Sequence, residues 1–541
     1  MRRVAGVLGL YLALVACSPP DRGPRRRAAG GTPHAGGTLH LAITDSVSTL
    51  DPAFAYDEFS YYAVHALFDT LLDYAAGSTE LVPRLAERWE ISPDGKTFRF
   101  WLRPNVTFGD GVPITSAHLK YSLERTLAEP ASPFGGFLVD VIGAQAVIDG
   151  KTADCAGITT PSDRELVIAL STANVAFPYV MTMPFTTPQR ADHVTATGDQ
   201  LRRTPLSTGP YLLAAWDEGQ RLVLRRNPGY VDPSRNRIAE IELRERLPRD
   251  TQFLMFEAGE LDAVDKLAAP DFLWISQQRA WQPYIHQTPV MSSFGSRFNV
   301  RVKPFDDRRV RQAFNYALDK HHTTKLMNGR SVPAHGILPP GMAGRDDALA
   351  PYPHDPARAK ALLAEAGYSD GLDVEYVTTS DEQAELLATS MQGDLAEVGV
   401  RVHLTLMTYA TSAVALGTPK GPPFMFVSWV GDYPDPSDFL DPRFHSRMIA
   451  DDNSTNASFY ANPELDALLD AARGETAPAK RMAMYRRAEH ILYDDAPWLW
   501  DYHLTATEVT QPYVKDYAVH PVWIRDYTTA WLDLPGAEDA P

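Results

Sequence analysis

The chain has 541 residues, 44% hydrophobic and 10% aromatic, with a formal net charge of -17. That length exceeds one ordinary domain, the aromatic content does not suit a disordered chain, and the acidity argues against a nucleic-acid-binding surface. Two cysteines, Cys17 and Cys155, exclude a disulfide scaffold and zinc modules with several Cys ligands.

The first residues read as a processing signal. Arg2 and Arg3 precede an apolar run, Val4 to Leu14, too short to span a bilayer. The run ends in Leu14-Val15-Ala16-Cys17, which resembles the lipobox of a bacterial lipoprotein. Residues 1–16 are then a signal peptide and Cys17 carries lipid. The alternative is an ordinary secretory signal that contains a cysteine. Residues 17–37, rich in Pro, Gly and Arg, read as a flexible tether, and Arg25 to Arg27 as a solvated charge run. No later stretch is long and uncharged enough to cross a membrane. Cys155, left without a partner, reads as a buried, inert thiol.

Next come a strand at Gly37–Ile43 and an amphipathic stretch over Ser60–Leu72. Asp94-Gly95 signals a hairpin turn before an alternating strand, Thr97–Leu102. Thr115 or Ser116 should cap a helix carrying Leu119, Leu123 and Leu127. Arg221–Arg225 is a short strand. Asp307, Asp355 and Asn462 begin further helices, and Gly367 stops the second of these. Phe424–Trp429 reads as a buried strand, ended by a Pro-containing loop, Gly431–Pro436. Helices and strands alternate throughout, which predicts an α/β or α+β class. No phosphate loop, nucleophile elbow or His-Glu-x-x-His appears, adjacent His321 and His322 are poor chelators, and no catalytic motif stands out.

A set of phrases then recurs in a telling order. They are LDP at Leu50–Pro52, LVPRLAERW at Leu81–Trp89, PDGKTFRF at Pro93–Phe100 and VTFGDGVPIT at Val106–Thr115. STGPY at Ser207–Tyr211, RNPGY at Arg226–Tyr230 and Phe298-Asn299 follow. PFDDRRVRQA at Pro304–Ala313, YALD at Tyr316–Asp319, AKALLAEAGY at Ala359–Tyr368 and WVGDYPDP at Trp429–Pro436 complete the set. Across the mature chain, these phrases resemble the extracellular solute-binding proteins of ABC transporters, family 5, the oligopeptide/dipeptide-binding family.

The resemblance implies an α/β fold: a two-lobed periplasmic-binding-protein clamshell, type II-like, with an extra inserted domain. Lobe one would comprise residues 38–76, 206–292 and 501–541, the inserted domain 77–205 and lobe two 293–500. It implies a non-enzymatic, monomeric lipoprotein of the periplasm or cell surface. Such a protein captures short peptides between closing lobes, without a cofactor or metal. It passes them to an inner-membrane ABC permease and ATPase. A peptide would lie extended and pair through its main chain. Its buried α-amine needs a carboxylate, and Asp432 occupies that family position. Trp429 and Val430 would flank it, Tyr433 would line the pocket, and Tyr56 and Glu58 would border the peptide from the first lobe. Each has a plainer alternative: Asp432 as a turn cap, Trp429 as core, Asp57 and Glu58 as solvated helix-start acids. Phe298-Asn299 would lie on the crossover strand. No motif selects an arginine, among Arg297, Arg345, Arg443 and others, for a peptide carboxylate. A metal chelate, sugar or other cationic small molecule remains the alternative ligand.

Overall fold

The computed structural model describes residues 23, 24, 28–522 and 524–534. Cys17, the rest of the signal and Arg25 to Arg27 lie outside them. Within the stretch expected to be a tether, the backbone N–H groups of Gly30 and Gly31 donate to the Asp533 carboxylate at 2.9 and 3.0 Å.

Alternating Leu39 and Leu41 turn one face of strand Thr38–Ala42 inward, where both are fully buried. This strand runs parallel to Glu240–Arg244, which pairs antiparallel with Arg221–Arg226, and that in turn with Tyr211–Asp217. Helix Glu58–Leu67 covers the sheet and shares a core with Leu222, Leu224, Ile241 and Leu243. Asp57 caps it by accepting from the Ser60 N–H at 2.9 Å.

The helix ends before the apolar stretch that runs on to Leu72. Its last carbonyl, at Leu67, accepts from the N–H groups of Thr208 and Gly209 at 3.0 and 2.9 Å, so a distant loop terminates it. Gly209 permits that approach: a Cβ there would lie 2.8 Å from the Leu67 carbonyl carbon. Asn227 donates to the Gly209 carbonyl at 3.0 Å, and the Tyr230 hydroxyl reaches the buried Asp69 at 2.9 Å. Arg84 pairs with Asp69 and Asp73 at 3.4 and 3.2 Å. The STGPY and RNPGY phrases thus hold one buried polar network.

A separate antiparallel sheet orders Ala86–Ile91, Thr97–Leu102, Glu165–Ala169 and Ile158–Ser162. Asp94 and Gly95 lie in its first hairpin loop, closed by the Ser92 N–H on the Thr97 carbonyl at 2.9 Å. Helix Ser116–Ala128 packs Leu119, Leu123 and Leu127 on Phe98, Phe100 and Leu102, and Cys155 is buried in the same core as a free thiol.

The largest sheet has eight strands. Its order is Ala263–Asp265, Trp498–Thr510, Ser292–Phe298, Phe424–Val430, Leu372–Thr379, Val400–Met407; Ile285–Pro289 and Ser331–Pro333 also pair with Trp498–Thr510. Leu372–Thr379 and Val400–Met407 run parallel, joined through helix Glu382–Glu397. The caps read from sequence are in place: Asp307 accepts from Arg309 N–H at 2.8 Å, Asp355 from Arg358 N–H at 2.8 Å and Asn462 from Glu464 N–H at 2.9 Å. The class is mixed α/β, in two lobes. Strand Trp498–Thr510 pairs at its start with Ser292–Phe298 and at its end with Ile285–Pro289 and Ala263–Asp265.

Candidate ligand-binding site

Strand Phe424–Val430 delivers the site. It pairs antiparallel with Ser292–Phe298. The Gly431 N–H donates to the Met291 carbonyl at 2.7 Å, and the Asn299 N–H to the Pro423 carbonyl at 2.8 Å. Odd-numbered residues therefore bond that neighbour, and the N–H and C=O of Ser428 and Val430 point to the opposite edge. On that edge, pairing with Leu372–Thr379 is confined to Val377 opposite Met425. The main chain at Ser428 and Val430 thus faces a strand edge with no paired strand among the described residues. Val430 itself is 57% exposed.

Beyond the strand, the chain turns sharply over helix Pro436–Phe444. At Gly431 a Cβ would meet the Phe439 ring at 2.5 Å, so glycine is needed for this close approach. Asp435 caps the helix by accepting from Ser437 N–H at 2.9 Å, and receives both guanidinium arms of buried Arg481 at 2.7 Å each. One turn in, Asp438 accepts from the Asp432 N–H at 2.9 Å and from the Trp429 indole N–H at 3.3 Å. Asp438 therefore fixes two of the residues expected to meet a ligand.

The Asp432 carboxylate accepts from the Tyr56 hydroxyl, which the loop before helix Glu58–Leu67 brings across. Burial pushes the Asp432 carboxyl up to about 6, against the opposing pull of the Tyr56 hydrogen bond and the Arg443 charge. Burial and the charge of Asp432 push Asp438 well above the carboxylate range. The Arg443 guanidinium stands 4.0 Å from the centre of the Trp429 ring, and burial pulls it down to about 10. It donates to the Thr455 carbonyl at 3.1 Å, while its Nε has no hydrogen-bond partner among the described residues.

The fold brings Tyr56, Trp429 and Asp432 together. Tyr433 is near them but its ring stacks on Tyr179 at 6.2 Å and packs on the core of the antiparallel sheet. Glu58 turns elsewhere: it accepts from the Tyr62 hydroxyl at 2.5 Å and pairs with the Lys266 ammonium. Asn299, on the crossover segment, is buried and donates to the Pro419 carbonyl at 3.0 Å. Of the arginines named for a peptide carboxylate, Arg297 is fully buried, Arg345 pairs with Asp347, and Arg443 lines the site. Sequence reading missed Asp438, Ser428 and Tyr409. The first is legible as an acid in a helix's first turn, whereas nothing in the local pattern marks the other two.

Two adjoining cavities flank the open edge, of about 290 and 250 Å³. They share Thr379, Tyr409, Phe426 and Ser428. Among the described residues, no group of His, Cys, Asp and Glu could hold a metal ion, and no helix is long and apolar enough to cross a membrane.

Residues 80–451, more than half of the chain, match the family described as bacterial extracellular solute-binding proteins, family 5. The chain belongs to that family. Members of family 5 are solute-binding proteins rather than enzymes. This one is 25% identical over 519 residues to di/tripeptide-binding protein 2 of Pseudomonas aeruginosa (strain UCBPP-PA14), covering 92% of this chain and 95% of that protein. It is 27% identical over 496 residues to a protein of Escherichia coli (strain K12) titled "Probable deoxycholate-binding periplasmic protein YgiS", covering 87% and 89%. Among solved structures, clavulanic acid biosynthesis oligopeptide binding protein 2 superposes with a TM-score of 0.85 at 26% identity, covering 95% of this chain and all of that one, 100%. The two-lobed family-5 fold extends over nearly the whole described chain.

Proposed function

We propose that this family-5 protein captures short peptides between its lobes and hands them to an inner-membrane ABC permease with its ATPase. It would be a monomer tethered outside the cytoplasmic membrane by lipid on Cys17. Residues 38–76, 206–292 and 501–541 would form lobe one, 77–205 its insert and 293–500 lobe two. One observation carries the peptide reading: the Asp432 carboxylate stands at the end of a strand whose Ser428 and Val430 main chain faces an open edge. A carboxylate for an α-amine beside free main-chain groups suits a peptide taken up as an added strand. The names of the Pseudomonas aeruginosa relative and of the clavulanic acid biosynthesis protein agree with that chemistry.

Native mass spectrometry of the purified mature chain tests it. A set of adducts that resolve into short peptides on denaturation supports the reading. A single non-peptide adduct refutes it and favours the alternative, a metal chelate, sugar or other cationic small molecule.

The site also fixes a pH dependence. A bound amine needs ionised Asp432, whose carboxyl burial pushes up to about 6. Below about pH 6, binding must expel a proton, so Kd should rise about tenfold per unit. Above about pH 8 the peptide amine loses its charge. Affinity for a tripeptide, measured by calorimetry from pH 5 to 9, should therefore peak between about 6 and 8. Tyr56→Phe removes a hydrogen bond that favours ionised Asp432, so it should move the acid limb upward. A flat profile from pH 5 to 7 would contradict the role of Asp432.

A further inference from the structure

The larger cavity has a composition that selects its occupant. Its volume, about 290 Å³, is at the low end for a small-molecule pocket, a size for one long side chain rather than a whole peptide. Phe294, Phe426, Tyr409 and Tyr502 form aromatic walls, and Leu387 and Met391 of helix Glu382–Glu397 add an aliphatic side. Two carboxylates, Asp381 and Asp501, line it, whereas the lining includes no Lys, Arg or His.

The polar groups are incompletely satisfied. Asp381 is held by the Thr379 hydroxyl at 2.6 Å and the Ala384 N–H at 2.9 Å, both neutral donors. Asp501 has the Thr323 hydroxyl and the charge of Lys320 beside it, and Lys320 lies outside the lining. The buried Oδ1 of Asp501 and Nε2 of Gln383 have no hydrogen-bond partner among the described residues. One nearby ammonium against two carboxylates leaves the lining negative. The cavity also reaches Ser428, whose main chain faces the open strand edge, so a side chain leaving a peptide paired there would enter it.

We infer that this cavity is a specificity pocket for a long cationic side chain, lysine or arginine, of the bound peptide. The methylene stem would lie along the aromatic and aliphatic walls, and the charged head would reach the carboxylates. This rests on the peptide reading above, and the test separates the two.

Calorimetry on the mature chain would use tri-alanine peptides carrying, at each position in turn, lysine, norleucine of similar length without charge, or glutamate. At one position lysine should bind at least tenfold more tightly than norleucine, and glutamate more weakly than either. Asp381→Asn, which keeps a residue able to cap the helix, should cut the lysine preference below threefold. Asp501→Asn should do the same. If it fails to fold beside buried Lys320, Leu387→Lys replaces it, since a tethered ammonium in the cavity should erase the preference. Equal or better binding of norleucine at every position overturns the pocket and leaves the peptide reading standing. So does a lysine preference that Asp381→Asn and Leu387→Lys do not alter. If no tripeptide binds, the peptide reading has failed, and agmatine alone reads the cavity. Thermal stabilisation by agmatine that Asp381→Asn abolishes keeps it as a cation site, and no stabilisation overturns it.

Discussion

Asp432→Asn should weaken binding of a free-amine tripeptide by about 2–5 kcal/mol, on the order of 30- to several thousand-fold in Kd. The substitution keeps shape and an oxygen for the Tyr56 hydroxyl, but removes the charge that offsets a buried ammonium. An N-acetylated tripeptide, which has no ammonium, should bind the wild type about as weakly as the free peptide binds the variant. The two changes together should not add, because both remove one interaction. Calorimetry on the four combinations gives this cycle directly. Less than a threefold loss in the variant would return Asp432 to the plainer role of a turn cap.

The second large effect concerns stability. Asp435→Ala should cost about 3–5 kcal/mol, because it leaves the Arg481 guanidinium buried without its carboxylate. Both guanidinium arms meet Asp435 at 2.7 Å, and the side chains are 8% and 4% exposed. This pair ties the Gly431–Pro436 loop to helix Pro478–Asp495, so ligand affinity should fall with stability. Replacing both, Asp435→Leu with Arg481→Met, should recover much of the loss, since no charge is then stranded. Urea denaturation of the single and double variants measures both. A single-variant loss under about 1 kcal/mol would mean that solvent reaches the guanidinium.

Local signals in the sequence wrote the elements that local physics decides. The caps at Asp307, Asp355 and Asn462, and the Asp94-Gly95 turn, depend on a few neighbouring residues. The helix from Glu58 illustrates the limit: its apolar pattern runs on to Leu72, but the loop at Thr208 and Gly209 ends it at Leu67. The phrases that identified the family divide in the same way. Arg84, Gly209, Asn227 and Tyr230 hold an interior network, and LDP contributes Asp51 to a buried pair with Arg125 at 2.6 Å. Only the last phrase, WVGDYPDP, carries residues of the candidate site. Tyr56 is tied to Asp432 across 376 positions, a contact that spacing cannot reveal. Glu58, two positions on and past the Asp57 cap, faces Lys266 and Tyr62 instead, because the chain turns into the helix between them. The larger side cavity is assembled from five segments of the second half, so its negative and aromatic character has no signature in any one of them.

The strand Trp498–Thr510 has a consequence for synthesis. It lies between Ile285–Pro289 and Ser292–Phe298 on one side and Ala263–Asp265 and Ser331–Pro333 on the other, yet it follows all of them in the chain. Until it emerges from the ribosome, those earlier strands lack their common neighbour, and the largest sheet cannot close. The native form of that sheet is therefore out of reach until residues 498–510 have been made.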